Sequence, residues 1–490
     1  MDIDLEYRAK KRDNMKKVFT STQGLDERAV SLGLSELVLQ ENASAAVAKV
    51  VKERYTGALV LGFCGGGNNG ADALATLRRL SGEYECVAVL VSDKLNNNAT
   101  TQLKIAKSAG LKVIKANEID ENIAGWISET LKGSVCVIDG IFGAGFKGEL
   151  NPKIATLIAS LNEAISANPL VLALSVDMPS GLDISGIPSP LAFRANTTIT
   201  MGAAKLGLFS DLAKDYVGEL ICADLGLCEG LYTSGVSSDF LLEMSDMRLP
   251  SRNTQNVNKG DFGHAFVACG DMSGAARLCA LSALNMGAGR VSIVAKKKLK
   301  DLEPEIMQKR NFSGASAVAI GMGLGGELYD IDEILALPCV VDADMFYHPS
   351  VLSFCAKAGA VLTPHPKEFA SLLAFAGFGE FSVNEVVLNR FALARAFSQK
   401  FPATLVLKGA NTIIANASKL YINCLGSAKL AKGGSGDVLS GMILALLAQG
   451  YDPLLASITA TLAQAKIAAN YSGSAFSYTP KDMIKGIKCL

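Results

Sequence analysis

Two stretches of this 490-residue chain hold residues whose types and order suit chemistry. The first is GGGNNGADAL (65–74), a glycine-rich turn leading into a helical pattern. The backbone N–H groups of such a turn, with the helix N-terminus behind them, suit an anion such as phosphate. Asn68, Asn69 and Asp72 add short polar side chains at the helix start. The spacing is neither GxGxxG nor a P-loop, because no GK[ST] follows. A plain helix cap with a tight turn, worth about 1 kcal/mol, uses the same residue types. Two further apolar runs end in acids: VIDGIFGAGFKG (137–148) with Asp139, and SVDMPSGLD (175–183) with Asp177 and Ser180. Oxygen donors converging from such runs suit a hard cation, and the adjoining glycines suit phosphates. The second stretch is KGGSGDVLSG (432–441). Its glycines run into an apolar helix, so their N–H groups form an anion hole. Asp437 falls in the first turn, within reach of a hydroxyl held over that hole, although the helix dipole favours an acid there in any case. His365, between two prolines, either meets a ligand or belongs to a stiff loop.

These residues need a frame to position them. ALVLGFCG (58–65), ECVAVLV (85–91), SVCVIDG (134–140), LVLALSVD (170–177) and GELICADL (218–225) read as buried strands. Helical patterns separate them, beginning with a long one over Leu25–Arg54 and another over Ala71–Leu80. Continuous apolar strands alternating with helices predict a parallel sheet covered on both faces, with ligands beyond the strand carboxyl ends. A polar seam follows at 227–262, and the boundary is placed near 235, giving domains 1–235 and 236–490. A fresh series then begins: HAFVACG (264–270), RVSIVAK (290–296), AVAIGMG (317–323), CVVDAD (339–344) and AVLTPHP (360–366). ATLVLKGANTIIA (403–415) reads as a hairpin, and the last 55 residues read as helical. The fold class expected is α/β in two domains.

Composition removes several classes of function. Lys+Arg and Asp+Glu are 47 each, so no basic surface points to nucleic acid. Mean hydropathy is +0.28, yet no run of 18 apolar residues is present to span a membrane. The first residues are charged and are not a secretory signal. Eleven cysteines, with no CxxC pair, read as reduced and mostly buried thiols of a cytoplasmic protein.

Together the first-half segments resemble the NAD(P)H-hydrate epimerase family, whose patterns are close to NNGGDG, D-x-[LI]-[FL]-G-[TA]-G and VD-x-PSG. LVLQENAS (37–44) is similar to the family's early-helix LMENA segment, and the resemblance covers residues 15–230. It implies a Rossmann-like three-layer sandwich with a mainly parallel sheet. It also implies substrate binding by Asn68, Asn69, Gly70, Ala71 and Asp72, and by Gly143, Ala144, Gly145, Phe146, Lys147 and Gly148. Asn69, Asp139 and Ser180 correspond to K+ ligands, and Asp177 to a substrate-contacting acid/base. Ala71 stands where the family pattern has glycine. The alignment also makes Met15 resemble the usual start, with residues 1–14 as an extension.

GGSGD before a helix near the C-terminus resembles the ribokinase-like superfamily. NKGDFGHAFVACG (258–270), AIGMGLG (319–325), LTPHPKE (362–368) and LVLKGANT (405–412) resemble its NAD(P)H-hydrate dehydratase branch, over residues 240–490. The resemblance implies a ribokinase-like α/β sandwich in which Lys408, Gly409, Ala410, Asn411, Thr412 and Gly436 contact the adenine nucleotide. Ala275, Gly323, His365 and Asp437 then face the hydrated dinucleotide. Departures are mild: GMGLG for GPGLG, GGSGD for GGTGD, and Lys367 for the glycine of TPHPGE. The two resemblances imply a bifunctional enzyme that epimerises the R and S hydrates of NADH and NADPH (NADHX and NADPHX). It would dehydrate the S form with ADP, releasing AMP and phosphate. K+, ADP as co-substrate and Mg2+ are the expected cofactors, and a homo-oligomer with neither nucleic acid nor membrane as partner is expected. A small-molecule kinase sharing the GGSGD hole and a dinucleotide-sensing binding protein are the rival readings.

Overall fold

The computed structural model describes residues 15–20, 22–118, 123–234, 236 and 239–490. The extension expected over residues 1–14 lies outside the described residues. The chain divides into two compact units, one of Lys17–Ser238 and one holding Asp239–Leu490.

Strands of the first unit are β1 (Lys16–Phe19), β2 (Leu59–Cys64), β3 (Glu85–Leu90), β4 (Lys112–Lys115), β5 (Val135–Gly140), β6 (Val171–Val176), β7 (Thr197–Met201), β8 (Ala204–Lys205) and β9 (Glu219–Ala223). A 7-stranded sheet runs β4-β3-β2-β5-β6-β7-β9, and all its ladders are parallel. Both faces are covered, as the unbroken apolar strands require. Val47, Val51, Leu74, Leu77 and Ala106, from the helices Glu36–Arg54, Asn68–Leu80 and Asn97–Ser108, pack with Val60, Ala88 and Ile138 on one face. Ile127, Leu157 and Ile158, from Ile123–Thr130 and Pro152–Ala167, pack with Leu61, Val89 and Val137 on the other. Each Val, Leu or Ile among them contributes about 1.5–3 kcal/mol on burial. The long helix predicted over Leu25–Arg54 is instead two, Gln23–Ser31 and Glu36–Arg54. The chain breaks at Gly33, and Ser35 caps the second helix by accepting from the Val38 N–H.

The second unit holds β10 (Asp239–Leu241), β11 (His264–Ala268), β12 (Arg290–Val294), β13 (Ile306–Lys309), β14 (Ala317–Ile320), β15 (Cys339–Val341), β16 (Ala360–Leu362), β17 (Thr404–Leu407), β18 (Thr412–Asn416) and β19 (Lys419–Asn423). They lie in the order β13-β12-β11-β14-β15-β16-β17-β18-β19-β10. The ladders are parallel from β13 to β17, antiparallel through β17-β18-β19, and parallel again for β10 on β19. β17 and β18 are the hairpin expected over 403–415. The polar seam therefore contains a strand, β10, which its short apolar content concealed. Across one face lie Ser273–Asn285, Ser435–Ala448 and Pro453–Asn470, which is why Val438–Ala448 is apolar all round and buried. Gly441 lets two of these helices touch: a Cβ there would sit 2.2 Å from the Cys279 carbonyl oxygen. No helix among the described residues is long and apolar enough to cross a membrane.

Candidate active sites

In the first unit the chain moves outward from β2 to β3 and β4, then returns to β5 on the other side of β2. The strand order reverses between β2 and β5, and their carboxyl ends open a crevice of the kind that binds ligands in parallel sheets. The Gly65 N–H donates to the Gly140 carbonyl at 3.0 Å across that opening. The helix Asn68–Leu80 begins there from Gly67 with no side-chain cap. By contrast Asn96 and Asn151 cap the helices that follow. The capping reading of residues 68–72 therefore fails, and the helix start suits an anion. The close approach falls at Gly70, where a Cβ would sit 1.9 Å from the Gly65 carbonyl oxygen. Ala71, the departure from the family pattern, is simply buried in the core.

The two asparagines diverge. Asn68 Oδ1 accepts from Asn96 Nδ2 at 2.8 Å and Asn98 Nδ2 at 3.1 Å, which holds that side chain to the neighbouring loop. Asn69 is buried, and its Oδ1 and Nδ2 both lack a hydrogen-bond partner. A Cβ on Gly143 would lie 2.8 Å from Asp177 Oδ2 and 3.1 Å from Asn69 Oδ1, so the glycine loop passes beside both groups. Asp139, at the end of β5, is buried; it accepts from the Ser180 hydroxyl, from the Ser180 N–H at 2.8 Å and from the Ser175 hydroxyl at 3.2 Å. Burial pushes its pKa up to about 6 against those bonds. The Ser180 hydroxyl also accepts from the Phe142 N–H at 2.8 Å, which ties Asp139, Ser180 and the 141–148 loop into one piece. In that loop Ala144 offers its N–H to Asp177, and Phe146 is buried against Phe142 with ring centroids 5.0 Å apart. Gly145, Lys147 and Gly148 are exposed.

Asp177 has a left-handed backbone, φ 67°, uncommon for a residue with a side chain and of the kind that gathers at functional sites. Its Oδ2 accepts from the Ala144 N–H at 2.9 Å; its Oδ1 accepts from Lys205 Nζ at 2.6 Å and the Met201 N–H at 3.3 Å. Burial alone would raise its pKa, but the Lys205 ammonium and these bonds hold it below the ordinary carboxylate value. Asp72 differs: burial, then the charges of Asp177 and Asp26, push it well above the ordinary value, and its Oδ1 has no partner. The crevice thus sets a carboxylate held low by Lys205 beside one that burial and neighbouring acids push up, a contrast of acid and base character found at proton-transfer sites. Lys205, with a side chain 1% exposed, is the residue that sequence reasoning missed. Its signal was a lone charge within the apolar run TITMGAAKLGLF.

The second unit repeats the device. The chain runs from β11 to β12 and β13, then back to β14 beyond β11. Gly323, Asp342, His365 and Lys408 lie one to three residues beyond the carboxyl ends of the adjacent strands β14, β15, β16 and β17, on one edge of the sheet. Gly323 meets Ala275: a Cβ on Gly323 would lie 3.2 Å from the Ala275 methyl. The helix Ser435–Ala448 starts at this edge from Gly434 (φ 89°), again without a side-chain cap, and places Gly436 and Asp437 in its first turn. A Cβ on Gly436 would lie 3.4 Å from Lys408 Nζ and 3.6 Å from Asp342 Oδ2. Burial first, then Asp342, push the Asp437 carboxyl up to about 6, against the pull of Lys408. An acid placed only to satisfy the helix dipole would shift downward.

Lys408 Nζ sits 2.8 Å from Asp342 Oδ1 and 3.7 Å from Glu368 Oε2. These two anions outweigh its burial and raise its pKa. Burial raises that of Glu368. His365 caps the helix Pro366–Phe375: its Nδ1 accepts from the Lys367 and Glu368 N–H groups, each at 3.2 Å. That leaves the ring proton on Nε2, 3.3 Å from Glu368 Oε1. The stiff-loop role is therefore real, while the half-exposed ring still borders the edge. Lys367 is exposed and contributes only its backbone to the cap. Arg390 orders the loop over 408–412: its Nη2 donates at 3.1 Å to the carbonyls of Leu407, Lys408 and Asn411. Asp342, Glu368, Ser440 and Arg390 were not singled out from sequence, although Asp342 directly follows β15 as Asp177 follows β6. Among the described residues no group of three or more His, Cys, Asp or Glu side chains is arranged to hold a metal ion. His264 belongs to the core, with burial pushing its pKa down to about 4 and Nε2 2.8 Å from the Ser292 hydroxyl.

Comparison with known proteins gives two family matches. Residues 36–207 match the model described as YjeF-related protein N-terminus, and residues 265–488 the model described as NAD(P)H-hydrate dehydratase. A protein of Helicobacter pylori named bifunctional NAD(P)H-hydrate repair enzyme Nnr is 42% identical over 484 residues, covering 97% of this chain and 100% of that protein. A protein of the same name from Coxiella burnetii is 33% identical, covering 87% of this chain and 88% of the relative. Among solved structures, the ADP/ATP-dependent NAD(P)H-hydrate dehydratase of Bacillus subtilis, co-crystallised with ATP/Mg2+, is 27% identical with a TM-score of 0.42. It covers 49% of this chain and 92% of that one.

Proposed function

The chain belongs to the family of bifunctional NAD(P)H-hydrate repair enzymes, and from that premise we propose how its two crevices divide the work. The first unit epimerises the R and S hydrates of NADH and NADPH; the second dehydrates the S hydrate with ADP. The observation that carries this reading is the second crevice, where an uncapped helix start, the Lys408 ammonium and the Asp437 carboxyl meet at the ends of four adjacent strands.

In the second unit the N–H groups at Gly436 and Asp437 take the phosphoryl oxygens, with Lys408 opposite. A preorganised donor of this kind contributes about 3 kcal/mol where charge develops. Lys408, Gly409, Ala410, Asn411, Thr412 and Gly436 hold the nucleotide; Ala275, Gly323 and His365 flank the hydrated ring. Asp437 takes the proton of the ring hydroxyl as its oxygen attacks the β-phosphorus of ADP, and AMP leaves. Phosphate then departs with the ring C–O electrons, a proton leaves the adjacent ring carbon, and the double bond is restored. Mg2+ arrives with the nucleotide phosphates and neutralises their charge; no residue of this chain is assigned to it.

In the first unit the 65–72 turn and the 143–148 loop hold the phosphates, and Asp177 is the acid/base group beside the reacting ring. Asn69, Asp139 and Ser180 hold K+. The fit rests on the buried Asn69 carboxamide, which has no partner, and on a donor set made of oxygens with one carboxylate. The ion, when bound, supplies positive charge that fixes the 141–148 loop. Thiols outside any disulfide bond suit a cytoplasmic setting, and none of the eleven cysteines is disulfide-bonded. Incubation with hydrated NADH and ADP or ATP, followed by recovery of the dihydronicotinamide absorbance, tests the reading. A sugar or vitamin kinase would consume nucleotide without recovering absorbance, and a binding protein would do neither.

A further inference from the structure

The catalytic reading of the second unit uses Asp437 and Lys408 but leaves a buried carboxylate between them unexplained. Asp342 is 2% exposed. Its Oδ1 accepts from Lys408 Nζ at 2.8 Å and from the Ala343 N–H at 2.9 Å; its Oδ2 accepts from the Ser440 hydroxyl at 2.8 Å. Ser440 lies three residues after Asp437, one turn along the same helix. Ala343, next in the chain, has φ 48°, so the strand end is bent to deliver the carboxylate here. Burying a charge is costly unless each lone pair is used. This one is used on two different elements, the β17 end and the helix Ser435–Ala448.

We propose that Asp342 is a positioning residue for dehydration: one carboxylate oxygen fixes the Lys408 ammonium, and the other, through Ser440, fixes the helix that carries Asp437. The inference rests on Asp437 being the base. The two groups that meet the reacting phosphoryl and hydroxyl are thereby held in one register, although they come from strand and helix 29 residues apart in sequence. A misplacement of about 1 Å between such groups costs about 10²-fold in rate.

The same arrangement sets the charge environment of Asp437. The groups facing it are Asp342 from β15, Lys408 from β17 and Cys279 from the helix Ser273–Asn285, with Glu368 acting on Lys408 from the helix Pro366–Phe375. Of these, Asp342 raises the Asp437 carboxyl and Lys408 lowers it. Neutralising Asp342 removes the raising charge and leaves the lowering one. The Asp437 carboxyl then ionises at lower pH.

The test uses the full chain, with ADP and the S hydrate of NADH, across pH 5–8. Asp342→Asn is expected to lower kcat about 10²-fold and to move the acid limb of the kcat profile to lower pH. Unchanged epimerisation by the same preparation reports that the first unit is folded, and a retained cooperative unfolding transition of the second unit reports that Asp342→Asn has not unfolded it. A merely structural role would lower activity with the limb in place, and that result overturns the proposal. A raised Mg2+ requirement with an unmoved limb overturns it too, by making Asp342 a metal ligand. Should Asp342→Asn fail to fold, Ser440→Ala removes only the second bond; it is expected to lower kcat several-fold with KM for ADP unchanged, and wild-type kcat in this variant sinks the proposal. Asp437→Asn, run alongside, separates the two readings: if it stays active, the base assignment fails, whatever Asp342 does.

Discussion

Lys205 Nζ lies 2.6 Å from Asp177 Oδ1, and the lysine side chain is 1% exposed. A buried ammonium of this kind is tolerated because the Asp177 carboxylate and the Thr200 hydroxyl, at 2.9 Å, receive its protons. The pair keeps Asp177 ionised at neutral pH, the state a base needs. Lys205→Met therefore leaves a buried carboxylate unpaired, which raises its pKa and removes the base. Epimerisation is expected to fall by about 10²–10⁴-fold, with a loss of about 3–5 kcal/mol in stability of the first unit. Dehydration of pure S hydrate is the internal control. Epimerisation above a tenth of the wild-type rate would exclude Lys205 from the proton-transfer machinery.

The K+ reading makes a separate prediction. Asp139→Ala removes the only carboxylate of the proposed ligand set. Epimerisation is expected to lose its response to K+ over Na+, while dehydration of the S hydrate continues. Equal wild-type rates in K+ and Na+ buffers would mean that Asn69, Asp139 and Ser180 hold no functional ion.

Much of this was legible in the chain because loops at strand ends advertise themselves. GGGNNG marks close backbone approaches at Gly65, Gly66 and Gly70, GFKG and GGSGD hold left-handed turns at Gly148 and Gly434, and Asp139, Asp177 and Asp437 stand beside these loops. The parallel sheets were equally legible from unbroken apolar runs such as LVLALSV. What escaped were charges within apolar surroundings. Lys205 follows two alanines, and Arg390 opens a helix and shares its buried face with Ala394 and Phe397; pattern alone assigns such cations to the surface. Asp342 was passed over although CVVDAD read as a strand, because no glycine-rich loop adjoins it. Its partners Lys408 and Ser440 come from elements far along the chain, and only the folded sheet order brings them together.

Arg390 yields a prediction about nucleotide binding. Its guanidinium is 4% exposed and serves three carbonyls of the 407–411 turn. All three bonds come from Nη2, and the compact, strongly hydrated lysine ammonium is costlier to bury in its place. Arg390→Lys is expected to raise KM for ADP about tenfold, with a smaller effect on kcat, since the turn carries the proposed nucleotide contacts and Asp437 lies elsewhere. An unchanged KM for ADP, read by initial rates at saturating hydrate, would mean that the turn is held without it.

Asp437 has a signature in pH. Its carboxyl is raised from the usual value to about 6, and a base works only when ionised. Dehydration should therefore fall tenfold per unit below pH 6 and level off above it. Asp437→Asn should abolish ADP-dependent recovery of NADH and leave ADP binding in place. A residual rate within tenfold of wild type would reject the assignment.

The last prediction concerns where the second unit begins. The seam at 227–262 is polar, and a cut anywhere within it looks harmless in sequence. The structure makes position 239 decisive. Asp239 is 2% exposed, accepts from Arg395 Nη1 at 3.0 Å and takes the Leu420 N–H at 3.0 Å. The strand it opens, β10, pairs with β19 through Phe240–Tyr421 and Leu241–Ile422, and the Phe240 and Tyr421 rings stack at 5.1 Å. A fragment of residues 236–490 keeps all of this; a fragment of residues 242–490 leaves the Arg395 guanidinium without its acid and exposes the edge of β19. The longer fragment is expected to fold as an ADP-dependent dehydratase. The shorter one should lose about 1.5–3 kcal/mol, the net worth of hydrogen bonds to a charged group, because the Arg395 side chain left behind is 30% exposed and can be rehydrated. Denaturant unfolding of the two fragments measures the difference directly. Equal midpoints would show that β10 adds nothing to the unit, and insolubility of both, where the full chain is soluble, would show that the second unit does not fold alone.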